Sequence, residues 1–366
     1  MSTTKKITVA VGISGGVDSA MAAKLLLQDG YDVIGITMAI WDESLPMAEA
    51  TKSGCFGPGE KDDLIAAGLI CSKLGIPHHV LSLQKDYSAN VLSYFCETYL
   101  QGKTPNPCLR CNQQMKFGLL PIRAKEAGIC FDSFATGHYV RVSYNEQLGR
   151  YQLHTARDLS KDQSYFLAFL QQEQLANLIF PLGDRTKAEI KEFARNNGFE
   201  ELAEKQESQD FLETDDYSVL FDKDSFSAGD IVDLQGKTIG RHSGLINYTI
   251  GQRRWLGISG QSEPYYVIKI DSQNNKVVVG PKQHLYGKTC QATQINWLSI
   301  EAPLAVIEVK AKIRAQHEAA SCRVTPLDAR TAEVVFADAQ LSLTPGQGIV
   351  FYEGDTVLAG GIIELE

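Results

Sequence analysis

The hexapeptide Ser14-Gly15-Gly16-Val17-Asp18-Ser19 constrains this chain more than any other feature, because of what flanks it. Residues 7–13 read Ile-Thr-Val-Ala-Val-Gly-Ile, an apolar run of strand length, and residues 17–28 carry a helical period that Gly30 stops. A glycine-rich turn from a buried strand into a helix aims backbone N–H groups and the positive end of the helix dipole at one point, which makes an anion site. Ser14 and Ser19 add hydroxyls, and Asp18 adds a carboxylate suited to Mg2+. The Gly-Lys-Ser/Thr ending of a Walker loop is missing, which turns the reading away from γ-phosphoryl transfer. A tight turn that merely needs glycines accounts for Gly15-Gly16 but not for the whole hexapeptide behind the first strand.

The same alternation continues downstream. Residues 31–38, 80–83 and 132–135 read as strands, the last ending at Thr136-Gly137-His138. Residues 60–74 read as an amphipathic helix stopped by Gly75 and Pro77, and 87–100 and 187–197 as further helices. Strands alternating with helices predict a parallel sheet with helices on both faces. After about residue 205 the helical period largely stops. A hairpin is read at 265–271 and 276–279 around a turn at 272–275. Ile307, Val309, Ala311 and Ile313 alternate with charged residues, and 333–336 and 348–352 look similar. Short strands with turn signals predict a small all-β region, a barrel.

A chain of 366 residues exceeds one average domain, and 44% hydrophobic residues suit real cores. No apolar run reaches the length of a membrane span, and the polar start at 1–6 lacks signal-peptide character, so a cytoplasmic location is expected. A formal net charge of -9 argues against indiscriminate nucleic-acid affinity, yet leaves room for a local basic face. The eight cysteines do not suggest a disulfide framework in a cytosolic chain. Cys71, Cys96, Cys130, Cys290 and Cys322 are expected to be ordinary, mostly buried, small side chains.

Thr104-Pro105-Asn106-Pro107-Cys108-Leu109-Arg110-Cys111-Asn112 is the second strong signal. Its prolines predict an extended, exposed backbone, with a helical stretch from Gln113 onward. Thiols near a helix start and beside Arg110 and Lys116 are expected to have lowered pKa values. The C-x-x-C spacing suits zinc, an iron–sulfur cluster or a redox pair, and the absence of a second C-x-x-C weakens a structural zinc.

With these two motifs, Ala135-Thr136-Gly137-His138-Tyr139, Lys161-Asp162-Gln163-Ser164-Tyr165-Phe166, Thr249-Ile250-Gly251-Gln252-Arg253 and Thr344-Pro345-Gly346-Gln347 occur in order. The hexapeptide resembles the pyrophosphate-binding loop of N-type ATP pyrophosphatases, and the whole chain resembles the tRNA-specific 2-thiouridylase family. The resemblance implies an α/β N-terminal domain with a parallel sheet, of the adenine nucleotide alpha hydrolase-like kind, expected over 1–205. It also implies a small central tRNA-contacting domain over 206–284 and a C-terminal β-barrel over 285–366. It implies ATP-dependent adenylation of the C2 oxygen of a wobble uridine, followed by sulfur transfer.

By the same resemblance Gly12, Ile13, Ser14, Gly15, Gly16, Val17, Asp18, Ser19, Met38 and Gly137 would contact ATP. Asn106, Pro107 and Cys108 would face the target base. His138, Lys161, Asp162, Gln163, Arg314 and Gln347 would contact tRNA, and Cys111 takes the first catalytic cysteine's place. Basic residues such as Arg141, Lys161, Arg253 and Arg314 would meet its phosphates.

The chain also departs from the family. Many members carry aspartate where Cys108 stands, and a second catalytic cysteine in the stretch that here reads Glu207-Ser208-Gln209-Asp210-Phe211-Leu212-Glu213. Two schemes follow. In one, Cys108 and Cys111 share a persulfide and close a disulfide as sulfur is delivered. In the other, Cys55, Cys108 and Cys111 ligate a four-iron four-sulfur (4Fe-4S) cluster, with Asp210 a less typical alternative to Cys55, which lies in a Gly/Pro-rich loop. Sulfur would come from a donor protein or sulfide, and a monomer is expected. The rivals are an amidating member of the superfamily and a non-catalytic RNA-binding or iron-sensing protein. The intact hexapeptide argues against the second.

Overall fold

The computed structural model describes residues 6–365 except 46, 48, 49 and 206–209. The start of the chain as far as Lys5, and Glu207-Ser208-Gln209 of the variant stretch, therefore lie outside the described residues. Two compact units emerge. One holds Met1–Asn90, Cys108–Asp215 and Asp355–Val357, and the other holds Val91–Pro107, Asp216–Gly354 and Leu358–Glu366. Among the described residues no helix is long and apolar enough to cross a membrane.

The first unit is built on a five-stranded parallel sheet. β1 (Thr8–Gly12) lies at its centre, between β2 (Asp32–Ala39) and β5 (Ser133–Ala135). β4 (His78–Ser82) forms one edge and Leu178–Ile179 the other. Val9, Ala10 and Val11 are fully buried, which explains why β1 reads as a continuous apolar run. The first helix, α1 (Val17–Gln28), and the next long one, α2 (Glu60–Leu74), have the bounds read from sequence, because backbone signals set them. Gly30 and Gly75 take φ of +90° and +70°, the left-handed turn that ends a helix.

The face of α2 was less legible. Ala67, Ile70 and Cys71 are buried, while Ile65 and Leu69 point to solvent. A Cβ on Gly35 would lie 2.5 Å from the Cys71 sulfur, so Cys71 fills the space that a glycine leaves on β2. Close approach, not side-chain size, chose the buried stripe. The strand expected at 80–83 begins at His78 and lies at an edge with Val80 48% exposed. The helix expected at 87–100 starts at Gln84 and passes through a π-helical turn, Ser88–Leu92.

The second unit contains two β structures. Thr238–His242, Gly229–Val232, Lys276–Pro281 and Tyr265–Asp271 form a four-stranded sheet in that order. The hairpin turn falls where expected, with Asn275 at φ +51°. Tyr286–Trp297, Thr331–Leu341, Ala320–Asp328, Ile307–Lys312, Gly348–Glu353 and Thr356–Glu364 follow one another around a barrel. Pairing of its first and last strands closes it. Cys290 and Cys322 are buried in its core, and Cys71 is buried in the first unit. Cys96 is only half-buried, and Cys130 is exposed, which corrects the buried reading for that residue.

Candidate active site

The turn after β1 is shaped by its own serines. The Ser14 amide donates to Ser19 Oγ at 3.2 Å, and Ser19 Oγ is 3.0 Å from the Gly16 carbonyl and 3.3 Å from Ser14 Oγ. Ser19 is buried and Ser14 exposed, so Ser19 braces the loop while Ser14 faces outward. Gly15 sits at φ +78°, and a Cβ there would lie 2.9 Å from the Asp63 carbonyl, so both backbone and space require glycine. Gly137 is equally constrained: a Cβ would lie 2.6 Å from the carbonyl carbon of Asp18. That contact places the end of the β5 segment against the start of α1. Met38 is half-buried on β2. The residues named for ATP thus gather at the ends of β1, β2 and β5, where open parallel sheets bind ligands.

Asp18 is already engaged. Both carboxylate oxygens accept from Lys187 Nζ at 2.7 Å, and the Tyr139 hydroxyl donates at 2.8 Å. Lys187 is buried and also lies over the Tyr139 ring. The donor set for Mg2+ expected at Asp18 is therefore not offered by this carboxylate. Sequence reasoning missed Lys187. Its one signal was the Thr186-x-x-Glu189 capping box, which fixes the lysine at the first position of the helix Lys187–Asn196.

The cysteine segment corrects two expectations. Pro107–Arg110 is already helical, Cys111–Leu119 continues as a π-helix, and Leu120–Glu126 as an α-helix. Both cysteines therefore lie inside a helical stretch, and the helix does not wait for Gln113. Proline is well suited to the first helical position. The wide π-turn frees carbonyls, and the Gln174 amide donates to two of them, Gln113 O at 3.0 Å and Phe117 O at 2.9 Å. The thiol pKa values are raised, not lowered. Burial pushes Cys108 up to about 12 and Cys111 up to about 11, against the opposing pull of Lys116. Burial disfavours the Lys116 ammonium, but the sulfurs of Cys111, Cys55 and Cys108 outweigh it and raise its pKa. His138 hydrogen-bonds Thr136 Oγ1 through Nδ1 at 2.8 Å and packs on Phe117 and Phe180. Burial, then Lys116, lowers its pKa to about 3, so it is a neutral imidazole.

Cys55 joins this group. Its segment is a short strand, β3 (Gly54–Phe56), paired in parallel with Asp210–Leu212, not a loop. Glycines let the two segments touch. A Cβ on Gly54 would lie 2.6 Å from Leu212 backbone, and one on Gly57 would lie 2.3 Å from a Glu213 carboxylate oxygen. Glu213 in turn accepts from the Gly59 amide at 2.8 Å. Below, Phe56 stacks on Tyr87 at 5.3 Å. The exposed Cys55 acts electrostatically on Cys108 and Cys111, and Asp210 acts on Cys108. Three thiols, a carboxylate and one ammonium therefore converge. Among the described residues no three His, Cys, Asp or Glu side chains are set as ligands of one ion. The donor chemistry suits an iron–sulfur cluster, while a closed ligand set is not preformed.

The residues named for tRNA contact largely brace backbone. Asp162 accepts from the amides of Ala156 and Ser164 and from Ser164 Oγ, and Gln163 accepts from the Tyr139 amide at 2.9 Å. Lys161 is half-buried beside them. Arg141 donates to Thr155 O and Asp355. In the second unit Gln347 Nε2 donates to Thr104 O at 3.1 Å and Pro105 O at 2.9 Å, holding the chain just before Asn106 and Pro107. Arg314 is exposed and donates to Leu341 O.

A parallel sheet with a glycine-rich strand-to-helix turn defines an α/β protein of the nucleotide-binding kind, and the same unit holds Cys55, Cys108 and Cys111. Family models agree. A tRNA methyl transferase HUP domain matches residues 7–212, a tRNA methyl transferase PRC-barrel domain 219–281 and an aminomethyltransferase beta-barrel domain 287–363. The chain is 44% identical to the tRNA-specific 2-thiouridylase MnmA of Endomicrobium trichonymphae, over 98% of this chain and 99% of that one. It is 43% identical to that of Geotalea uraniireducens (strain Rf4), over 98% of this chain and 96% of that one. Among solved structures, NMN synthetase of Francisella tularensis aligns at 18% identity over 56% of this chain and 66% of that one, with a TM-score of 0.34, too low to inform the fold. The chain belongs to the tRNA-specific 2-thiouridylase family.

Proposed function

We propose that the protein is an ATP-dependent tRNA-uridine 2-sulfurtransferase acting in the cytoplasm as a monomer. ATP sits at Ser14–Ser19 near Met38 and Gly137. The wobble uridine is turned out of its stack toward Asn106, Pro107 and Cys108, as base-modifying enzymes require. Its C2 oxygen attacks the α-phosphate, diphosphate leaves, and the poor leaving oxygen becomes part of AMP. A terminal persulfide sulfur on Cys111, passed on as sulfane sulfur from a persulfide on a donor protein whose own thiol leaves, attacks C2 and AMP departs. The Cys108 thiolate then attacks the Cys111 sulfur. The S–S bond to the transferred atom breaks, a Cys108–Cys111 disulfide forms, and 2-thiouridine is released; an external thiol must reduce that disulfide before the next turnover. Lys116 favours the thiolate forms throughout.

The observation that carries this reading is the convergence of Cys108, Cys111 and Lys116 in the unit that holds the Ser14–Ser19 loop. The approach of Cys55 to the same pair favours a second reading. Cys55, Cys108 and Cys111 would hold a 4Fe-4S cluster, which when bound supplies an open iron for an external sulfide. Anaerobic purification with iron and acid-labile sulfide analysis, beside Cys55→Ala, Cys108→Ala and Cys111→Ala, decides between the two. Iron and sulfide in cluster stoichiometry, lost in all three variants, support the cluster. Retention in Cys55→Ala alone points to Asp210, and no iron after anaerobic reconstitution leaves the persulfide pair. Formation of AMP that depends on tRNA, with 2-thiouridine in the product, tests the activity itself. An amidating or non-catalytic protein would not give both.

A further inference from the structure

Trp255 is the most exposed tryptophan of the chain, 90% accessible, and it stands at φ +63°. That backbone region suits glycine and is an outlier for a bulky side chain. The indole makes no ring contact, cation contact or hydrogen bond among the described residues. Trp41 and Trp297, by contrast, pack on Phe56 and Phe351. A strained backbone carrying a large apolar ring into water returns nothing to the fold, and such strain gathers at binding sites.

The surroundings say what would bind. Arg253 and Arg254 precede the ring, are exposed, and make no ion pair among the described residues. The segment is held in place. The Gly251 amide donates to Val267 O at 2.8 Å, and Val267 N returns to Gln252 O at 2.9 Å. Gln252 Oε1 accepts from Thr249 N at 3.0 Å, and its Nε2 donates to Arg254 O at 3.1 Å. On the other side Leu256 is buried in the core with Tyr248, Val267 and Val277. The ring is thus presented on a preorganised loop, which lowers the ordering cost of binding. An aromatic face beside two unpaired guanidiniums is the equipment for an unstacked base and its flanking phosphates.

We propose that Trp255 is a stacking platform for an unpaired base of the tRNA, with Arg253 and Arg254 on the adjoining phosphates. The proposal rests on the tRNA-thiolation reading and adds Trp255 and Arg254, which lie beyond the motif, to the phosphate contact expected of Arg253. It is tested on the full chain with an unmodified transcript of a substrate tRNA. Trp255→Leu and Trp255→Gly weaken binding about 5- to 100-fold, and Trp255→Phe stays within about threefold of the parent. Trp255→Gly also melts at a higher temperature, because glycine accepts the φ; affinity and stability then move in opposite directions, which misfolding does not produce. Arg253→Gln lowers the slope of log affinity against log salt by about 1, while Trp255→Leu leaves the slope unchanged. Parental affinity in Trp255→Leu overturns the stacking. A parent chain that binds no tRNA and forms no 2-thiouridine overturns the functional reading along with it.

Discussion

At the residue scale, the pair of Lys187 and Asp18 ties the helix after the phosphate loop to a distant helix. Lys187→Met would leave the Asp18 carboxylate partly buried without its counterion. We expect a loss of about 1–3 kcal/mol in unfolding free energy and a fall in tRNA-dependent AMP formation. Adding Asp18→Asn should restore much of the stability and little of the activity. A double variant no more stable than Lys187→Met would refute the pairing. The thiols give a prediction in pH. Cys111 has its pKa pushed up to about 11, so it is almost wholly protonated at neutral pH in the free protein. Its alkylation by iodoacetamide should rise about tenfold per pH unit from pH 7 to 10 without levelling. Lys116 lowers this pKa, so Lys116→Ala should raise it further and slow alkylation at every pH in that window. A plateau below pH 9 in the parent would contradict the burial argument.

At the element scale, the π-helix Cys111–Leu119 depends on a partner outside itself. Gln174 caps two of its carbonyls, and Gly118 leaves room for one of them, since a Cβ there would lie 2.9 Å from Gln113 O. Gln174→Leu should therefore cost about 1–3 kcal/mol in denaturant unfolding and reduce thiolation more than ATP binding, because the turn orients Cys111. Equal loss of both would show only general destabilisation. The Thr186 cap should behave differently. Thr186→Ala removes a bond to the Glu189 amide and costs about 1 kcal/mol, with its effect on catalysis passing through Lys187 at the helix start. The strand pair β3 with Asp210–Leu212 explains the glycines at 54, 57 and 59. They are spacing devices for Leu212 and Glu213, although in sequence they read as a loop.

At the scale of the whole molecule, a net charge of -9 must coexist with binding to a polyanion. Affinity for tRNA should rest on a few local cations and fall steeply with salt. A binding constant unmoved between low and physiological salt would count against Arg253, Arg254 and Arg314 as phosphate contacts.

What the sequence determined by itself was local or repeated. The strand–turn–helix at 8–28, the bounds of α1 and α2, the hairpin around Asn275 and the β character after residue 205 follow from periodicity and from glycine's backbone freedom, which act between near neighbours. Motif order alone pointed to the family. What only tertiary structure decided was which distant groups meet. Lys187 meets Asp18, Gln347 holds the Thr104-Pro105 carbonyls, and Gln174 props the π-turn. The thiol pKa values rise where sequence suggested a fall, because burial depends on everything packed around Cys108 and Cys111 and outweighs the nearby Lys116. The physical reason is range. Backbone preference is written within a few residues, whereas desolvation and hydrogen-bond partnership are properties of the space into which the chain folds.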